Sequence, residues 1–82
     1  MRVQRGDTVH ILAHRIPFVA WRAHRWSERK RVRLMDKLLR EEQEGYTYTV
    51  SMRAHSIVSG LVHVQDSSGT LYSAHHSDLV RA

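Results

Sequence analysis

Hydrophobic residues recur at helical spacing between Ser27 and Glu44. One side of this segment collects apolar residues and the other side collects basic ones, as in an amphipathic helix. Ser27 is a favourable N-cap, and Gly45 is a favourable residue to end a helix. The pattern therefore predicts one helix over residues 27–44. Its apolar side contains Val32, Leu34, Met35, Leu38 and Leu39, and its basic side contains Arg29, Lys30, Arg33, Lys37 and Arg40.

After Gly45 the periodicity changes from helical to alternating. Residues 46–50 place tyrosine and valine at every second position, which is typical of a strand with one buried face. A further strand, interrupted by a glycine, is predicted over residues 57–64. The turn sequence at 66–69 joins it to a returning strand over residues 70–73. The sequence after the helix therefore predicts antiparallel strands.

The N-terminal part contains one clear strand and one ambiguous segment. Gly6 and Asp7 are turn formers, and residues 8–12 alternate in the manner of a half-buried strand. Residues 14–26 fit either period, and a second strand is favoured there. The alternative is a helix that has Pro17 at its first position and continues through the amphipathic segment to Glu44.

The C-terminal segment 75–80 predicts a single helical turn capped by Ser77. The predicted elements together place their apolar residues on one buried side. The expected core contains Val9, Ile11, Val32, Met35, Leu38, Leu39, Tyr48, Val50, Val62, Val64 and Leu71.

Three local sequences resemble parts of a small SH3-like barrel. They are the turn and strand at 6–9, the hairpin centred on 66–69 and the closing turn at 77–79. The resemblance is to a fold and covers about half of the chain. It implies an α+β domain over residues 1–82, formed by a small antiparallel sheet or an SH3-like barrel with one inserted amphipathic helix. Barrels of this kind bind nucleic acid, peptides or partner proteins.

Charge is distributed unevenly along the 82 residues. Eleven of the thirteen Lys and Arg residues fall in the first forty positions, against three acidic residues, so this half carries +8. The remaining positions carry −3, which gives the net charge of +5. A one-sided positive field attracts phosphates and acidic surfaces. The charge pattern therefore predicts a binding partner that is negatively charged.

Several classes of site are absent from the sequence. The chain has no cysteine, which excludes disulfides, thiolate zinc sites and cysteine nucleophiles. No apolar stretch is long enough for a membrane span or a signal peptide, so a cytoplasmic protein with no membrane partner is predicted. Catalytic and phosphate-binding motifs are also missing. The sequence therefore predicts a protein without enzymatic activity or a cofactor.

The seven histidines do not form a metal-binding motif. His10 and His14 would share the face of a helix, but His10 is expected in a strand, where four residues span too great a distance for one small ion. The adjacent Ser, His and Asp residues at 75–78 are close in sequence, which is not the geometry of a catalytic triad. No metal site is predicted.

Eight Lys and Arg residues lie between positions 21 and 40, and two tryptophans lie among the first of them. Guanidinium groups contact phosphates with two hydrogen bonds, and an exposed indole stacks on an unpaired base. The segment therefore predicts a module that contacts RNA or single-stranded DNA. The predicted binding residues are Arg22, Arg25, Arg29, Arg33, Lys37, Arg40, Trp21 and Trp26.

The same segment also fits a protein partner. In this alternative the protein is a small regulator or inhibitor, of the type carried by phages or plasmids, that binds an acidic protein surface or forms a homodimer. It predicts that Phe18, Trp21 and Trp26 form an exposed apolar patch surrounded by arginines. The nucleic-acid hypothesis instead predicts a continuous basic stripe with aromatic residues at its edge.

Overall fold

The computed structural model describes residues 3–22, 27–53 and 61–82. Five strands and two helices are present in these parts of the chain. The strands are β1 (Thr8–Ile11), β2 (Tyr48–Arg53), β3 (Leu61–Gln65), β4 (Leu71–His75) and β5 (Leu79–Arg81). The helices are α1 (Ile16–Trp21) and α2 (Glu28–Gln43), and short 3-10 turns at Ala13–Arg15 and His76–Asp78 precede α1 and β5.

The five strands form one antiparallel sheet in the order β4-β3-β2-β1-β5. Val9 of β1 lies between Tyr48 of β2 and Arg81 of β5, so the last strand is added beside the first. The α+β class predicted from the sequence is confirmed. The SH3-like barrel is wrong as an alternative, because β4 and β5 are the two edges of an open sheet and do not pair within the described residues. The helices, rather than a closed sheet, cover the apolar face.

The buried residues form one continuous core between the helices and one face of the sheet. Its members are Val3, Val9, Ile11, Ile16, Val19, Ala20, Leu34, Leu38, Tyr48, Val50, Val62, Val64, Tyr72, Ala74 and Leu79. Met35 and Leu39 pack against this core while remaining partly exposed.

Two predicted core residues, Val32 and Leu71, are exposed by 48% and 50%. The burial of α2 is centred on Leu34 and Leu38, and Val32 lies roughly 120° or more from both around the helix. Leu71 alternates out of phase with the buried Tyr72, so it lies on the open face of the sheet. Neither residue belongs to the core.

The favoured strand over residues 14–26 is wrong, because α1 occupies Ile16–Trp21. The helix begins at Ile16, one residue before Pro17, which the helical alternative placed at the first position. Its buried residues recur at intervals of three and four. That alternative also extended the helix through the amphipathic segment, which is wrong. The backbone at Ser27 is extended, with φ −64° and ψ 160°, and a new helix starts after it. The domain therefore contains two helices instead of one inserted helix.

The predicted boundaries of the long helix are confirmed to within one residue at each end. The Ser27 hydroxyl accepts a hydrogen bond from the Lys30 backbone N–H at 3.3 Å, which is the contact expected of an N-cap. Gly45 follows the helix with φ +77°, a conformation that side chains other than glycine rarely adopt. Sequence signals at both ends therefore determine the length of α2.

The C-terminal elements differ in detail from the prediction. The strand predicted over residues 57–64 begins at Leu61 where it is described, and positions 57–60 lie outside the described residues. The closing turn forms at His76–Asp78, but the imidazole of His75 caps it in place of the predicted Ser77. Strand β5 follows this turn and was not predicted. In the described parts of the chain, no helix is long and apolar enough to cross a membrane.

Candidate nucleic-acid interface

The outward side of α2 carries a line of arginines. Arg29, Arg33 and Arg40 lie within roughly 40° of one another around the helix axis and are exposed, as is the nearby Lys30. These three arginines extend over about 16 Å of the helix axis, at about 1.5 Å per residue. Asp36 lies on the same line and is exposed as well. We call Arg29, Arg33 and Arg40 the arginine stripe.

The arginines of the stripe are not paired with a carboxylate among the described residues. Within the described parts of the chain, none of its members forms an ion pair, and neither does Asp36. Three aspartates that would otherwise balance positive charge are bonded elsewhere, to arginine or lysine. They are Asp7, Asp66 and Asp78. The positive charge of the outer helix face is therefore directed to solvent.

Lys37 belongs to the same helix, but its ammonium group is bonded to other residues of the fold. Its Nζ donates to Asp66 Oδ2 at 3.0 Å and to the Tyr72 hydroxyl at 2.8 Å. Burial alone would lower the pKa of Lys37, but the hydrogen bonds with Tyr72 and Asp66 outweigh it and raise the pKa above its ordinary value. Lys37 was predicted to contact a partner. The structure instead places it in a local ion pair that joins α2 to the β3–β4 hairpin.

Asp66 is the acceptor at the centre of this contact. Burial would raise its pKa, but hydrogen bonds from Ser68, Lys37 and Tyr72 together hold the pKa of this carboxyl well below its usual range. Tyr48, beside Tyr72, donates to Glu41 Oε1 at 2.6 Å. General acid-base catalysis requires a pKa near the working pH, and these contacts move the pKa values of Lys37 and Asp66 away from neutrality. The cluster is suited to holding the helix on the sheet.

Arg22, another predicted binding residue, is part of a second internal ion pair. Its guanidinium and that of Arg15 both donate to Asp78, the latter at 2.8 Å between Nε and Oδ1. Asp78 is fully buried and also accepts from the His75 backbone N–H at 2.8 Å. The contact connects α1 to the turn before β5, so the charge of Arg22 is compensated within the protein.

Aromatic residues of α1 are exposed next to arginines. Trp21 is exposed by 62% and Phe18 by 51%. The Arg31 guanidinium lies 5.1 Å from the centre of the Trp21 ring, and that of Arg15 lies 4.4 Å from the centre of the Phe18 ring. These distances are typical of cation–π contacts, which hold each ring against a positive charge.

The structure brings only some of the predicted binding residues together. Arg29, Arg33 and Arg40 share one surface, and Trp21 is exposed on the neighbouring helix. Arg25 and Trp26 lie outside the described residues. Arg15, Lys30 and Arg31 were absent from the predicted set. A helical interpretation of residues 14–26 would have revealed Arg15, because it lies one turn from Phe18 in the same segment.

The described residues contain no group of three or more His, Asp or Glu side chains placed to hold a metal ion. His10 Nδ1 lies 3.0 Å from the Tyr46 carbonyl oxygen, while His75 and His76 belong to the closing turn. These histidines are therefore engaged in separate local contacts. Comparison of the chain with models of known protein families, with curated proteins and with solved structures gave no match.

Proposed function

We propose that the protein binds nucleic acid through the arginine stripe and does not catalyse a reaction. The observation that supports this proposal is that Arg29, Arg33 and Arg40 form no ion pair within the described residues, while three of the aspartates are bonded within the fold. An unpaired guanidinium on a rigid helix is available to donate two hydrogen bonds to a phosphate. The nucleic acid therefore contacts the outer side of α2 through its phosphate groups.

The arginines of the stripe are spaced so that each can contact a different phosphate. Arg29 and Arg33 are about 6 Å apart along the helix axis, and Arg33 and Arg40 are about 10 Å apart. A guanidinium binds one phosphate with two hydrogen bonds, so three arginines at these intervals can contact three phosphates of one strand. Contacts of this kind bind the backbone and carry no sequence information by themselves. Binding is expected to be weakly sequence-specific.

Trp21 favours a single-stranded ligand. One side of its ring contacts Arg31, which lies roughly 160° or more around α2 from the arginine stripe, and the indole remains 62% exposed. A ligand that contacts both the stripe and Trp21 therefore has to bend around the helix, which a single strand does more readily than a duplex. Stacking of an unpaired base on such a ring stabilises binding by about 1–3 kcal/mol. A base-paired duplex does not present a free base face to the ring. We therefore propose RNA or single-stranded DNA as the ligand, in preference to duplex DNA.

Fluorescence anisotropy of labelled oligonucleotides from low to physiological salt tests the proposal. Arg33→Glu should weaken binding about tenfold and reduce the salt dependence by about one released counterion per lost phosphate contact. Arg5→Glu is the matched control, because it makes the same charge change at an exposed residue in the turn before β1. Equal effects of the two substitutions would show that only net charge attracts the ligand. Absence of binding at physiological salt would reject the proposal.

A second candidate function is the binding of an acidic protein surface. Exposed Phe18 and Trp21, each beside an arginine, match the composition of energetically important residues in protein interfaces. In this case the protein is a regulator or inhibitor that occupies the surface of its partner. Phe18→Ala separates the two candidates, since it should weaken a protein complex strongly and leave the salt-dependent binding of an oligonucleotide nearly unchanged.

A further inference from the structure

One acidic residue lies within the arginine stripe. Asp36 is exposed on the outer side of α2, within roughly 60° of all three arginines around the helix axis. Along the axis it lies about 4.5 Å beyond Arg33 and about 6 Å before Arg40. Asp36 therefore occupies the wider of the two intervals between the arginines of the stripe.

No contact within the described residues explains this position of Asp36. The first forty positions contain two other acidic residues, Asp7 and Glu28. Asp7 pairs with Arg81, and Glu28 lies in the first turn of α2, where negative charge is favourable. Asp36 forms no ion pair in the described parts of the chain, although an arginine lies about one helical turn away on either side. Its carboxylate is therefore available to a ligand of the stripe.

A carboxylate at this position changes what the stripe can bind. Asp36 repels a phosphate group, whereas the arginines on either side attract one. A single strand whose phosphates contact Arg33 and Arg40 passes over Asp36 between them. The bases of a single strand are unpaired and can turn toward a protein side chain. We therefore expect a base, rather than a phosphate, to lie against Asp36.

The chemistry of the carboxylate selects among the four bases. An ionised carboxylate accepts hydrogen bonds and donates none. Guanine presents two adjacent donors on its base-pairing edge, the ring N1–H and the 2-amino group, and these match the two carboxylate oxygens. Adenine and cytosine present one amino group beside an acceptor nitrogen, and uracil presents one N–H between two carbonyl oxygens. Two parallel bonds to a charged acceptor are the stronger arrangement, so the carboxylate favours guanine.

We propose that Asp36 is a specificity-determining residue of the arginine stripe and contacts a guanine base of the bound single strand. This inference rests on the proposed function, because it requires the phosphates of the strand to contact Arg33 and Arg40. The phosphate contacts themselves carry no sequence information. One base contact with two hydrogen bonds corresponds to a preference of about tenfold.

Fluorescence anisotropy at physiological salt, with labelled uridine oligonucleotides of one length, tests this proposal. One strand has guanosine at every third position, a second has inosine at the same positions, and a third contains uridine alone. Inosine lacks only the 2-amino group of guanosine. The wild-type protein should bind the guanosine strand about tenfold more tightly than the uridine strand, and the inosine strand with intermediate affinity.

Asp36→Asn should reduce the preference for the guanosine strand to less than about threefold, because an amide presents one acceptor and one donor to the two donors of guanine. The same variant should bind the uridine strand more tightly than the wild type does, since a charge that repels phosphate is removed. A residue with only a structural role would change the affinity for all three strands in the same direction.

Glu42→Gln is the matched control. It removes the same charge from the same helix, at a position roughly 120° or more around the axis from Asp36 and from the three arginines. This variant should keep the wild-type preference for guanosine. Circular dichroism establishes that each variant is folded.

Two results would overturn the proposal, and they differ in what they imply for the arginine stripe. In the first, Arg33→Glu weakens the binding of all strands, but the wild type does not prefer guanosine or Asp36→Asn keeps the preference. The stripe would then bind phosphates, and Asp36 would not select the base. In the second, no strand binds at physiological salt, which rejects the proposed function together with the role of Asp36.

Discussion

Asp78 has a position in the structure that an acidic residue can occupy only when it is well compensated. Its side chain is fully buried and accepts from Arg15, Arg22 and the His75 backbone N–H. Removing one member of a buried ion pair leaves an uncompensated charge inside the protein. Because this carboxylate joins α1 to the turn before β5, a substitution at position 78 is expected to destabilise the whole domain.

We predict that Asp78→Asn lowers the free energy of unfolding by about 3 kcal/mol, because two guanidinium groups lose their counter-charge in a partly buried site. Asp36→Asn is the control, since Asp36 is exposed and has no ion pair among the described residues. It should change stability by less than about 0.5 kcal/mol. Urea denaturation followed by circular dichroism measures both. Similar values for the two variants would contradict the assigned role of Asp78.

Asp66 and Asp78 also predict how the stability of the folded protein depends on pH. The pKa values of Asp66 and Asp78 are lowered in the folded protein, since hydrogen bonds from neighbouring groups overcome the opposing effect of burial. A lowered pKa stabilises the folded state above the unfolded pKa, which is about 3.9 for aspartate, and this stabilisation is lost as the pH falls further.

The melting temperature should therefore fall steeply as the pH drops below about 4. Above that pH these carboxyls should change the melting temperature little. Asp78→Asn removes the contribution of this carboxyl, so its melting temperature should decline less between about pH 5 and about pH 2 than that of the wild type. Differential scanning calorimetry over this range makes the comparison. Parallel curves for the two proteins would show that Asp78 does not contribute to acid unfolding.

At the scale of elements, the boundaries of α2 could be predicted from the sequence, but the helical conformation of α1 could not. Ser27 and Gly45 are local signals whose effect needs no distant contact. The segment that forms α1 contains apolar residues whose spacing suits a helix or a strand. Its secondary structure depends on how it packs against α2 and β4. Strand β5 was missed for the same reason, because three residues acquire strand structure only by pairing with β1.

The candidate site could also be predicted only in part from the sequence. The arginine stripe follows directly from helical periodicity, so Arg29, Arg33 and Arg40 were identified from the sequence. The internal ion pairs of Arg22 and Lys37 involve residues 56 and 29 positions away, which no local pattern indicates. Sequence periodicity shows which side of a helix is outward, but it does not show which outward charge will find a partner.

The corrected core predicts a clear difference between two apolar residues of α2. Leu38 is fully buried, whereas Val32 is exposed by 48%. Leu38→Ala should lower the free energy of unfolding by about 2–5 kcal/mol, because it removes buried methyl groups and leaves a cavity. Val32→Ala should have an effect below about 1 kcal/mol. Chemical denaturation of both variants provides the comparison, and a larger loss for Val32→Ala would require a different orientation of the helix.

At the scale of the whole molecule, the two faces of the sheet have different chemistry. One face supports the helices and their positive charge, and the other carries no formal charge among the described residues.

The pairing of β5 with β1 has a consequence for how the protein is made. Leu79–Arg81 pairs with the first strand, and Asp78 bonds to Arg15 across 63 positions of the chain. Synthesis proceeds from the N-terminus, so β1 and α1 are made before Asp78 and Leu79–Arg81. In that interval β1 lacks its neighbour β5, and the guanidinium groups of Arg15 and Arg22 lack the carboxylate that binds them in the folded protein. The N-terminal elements therefore complete their folding only after Asp78 has been synthesised.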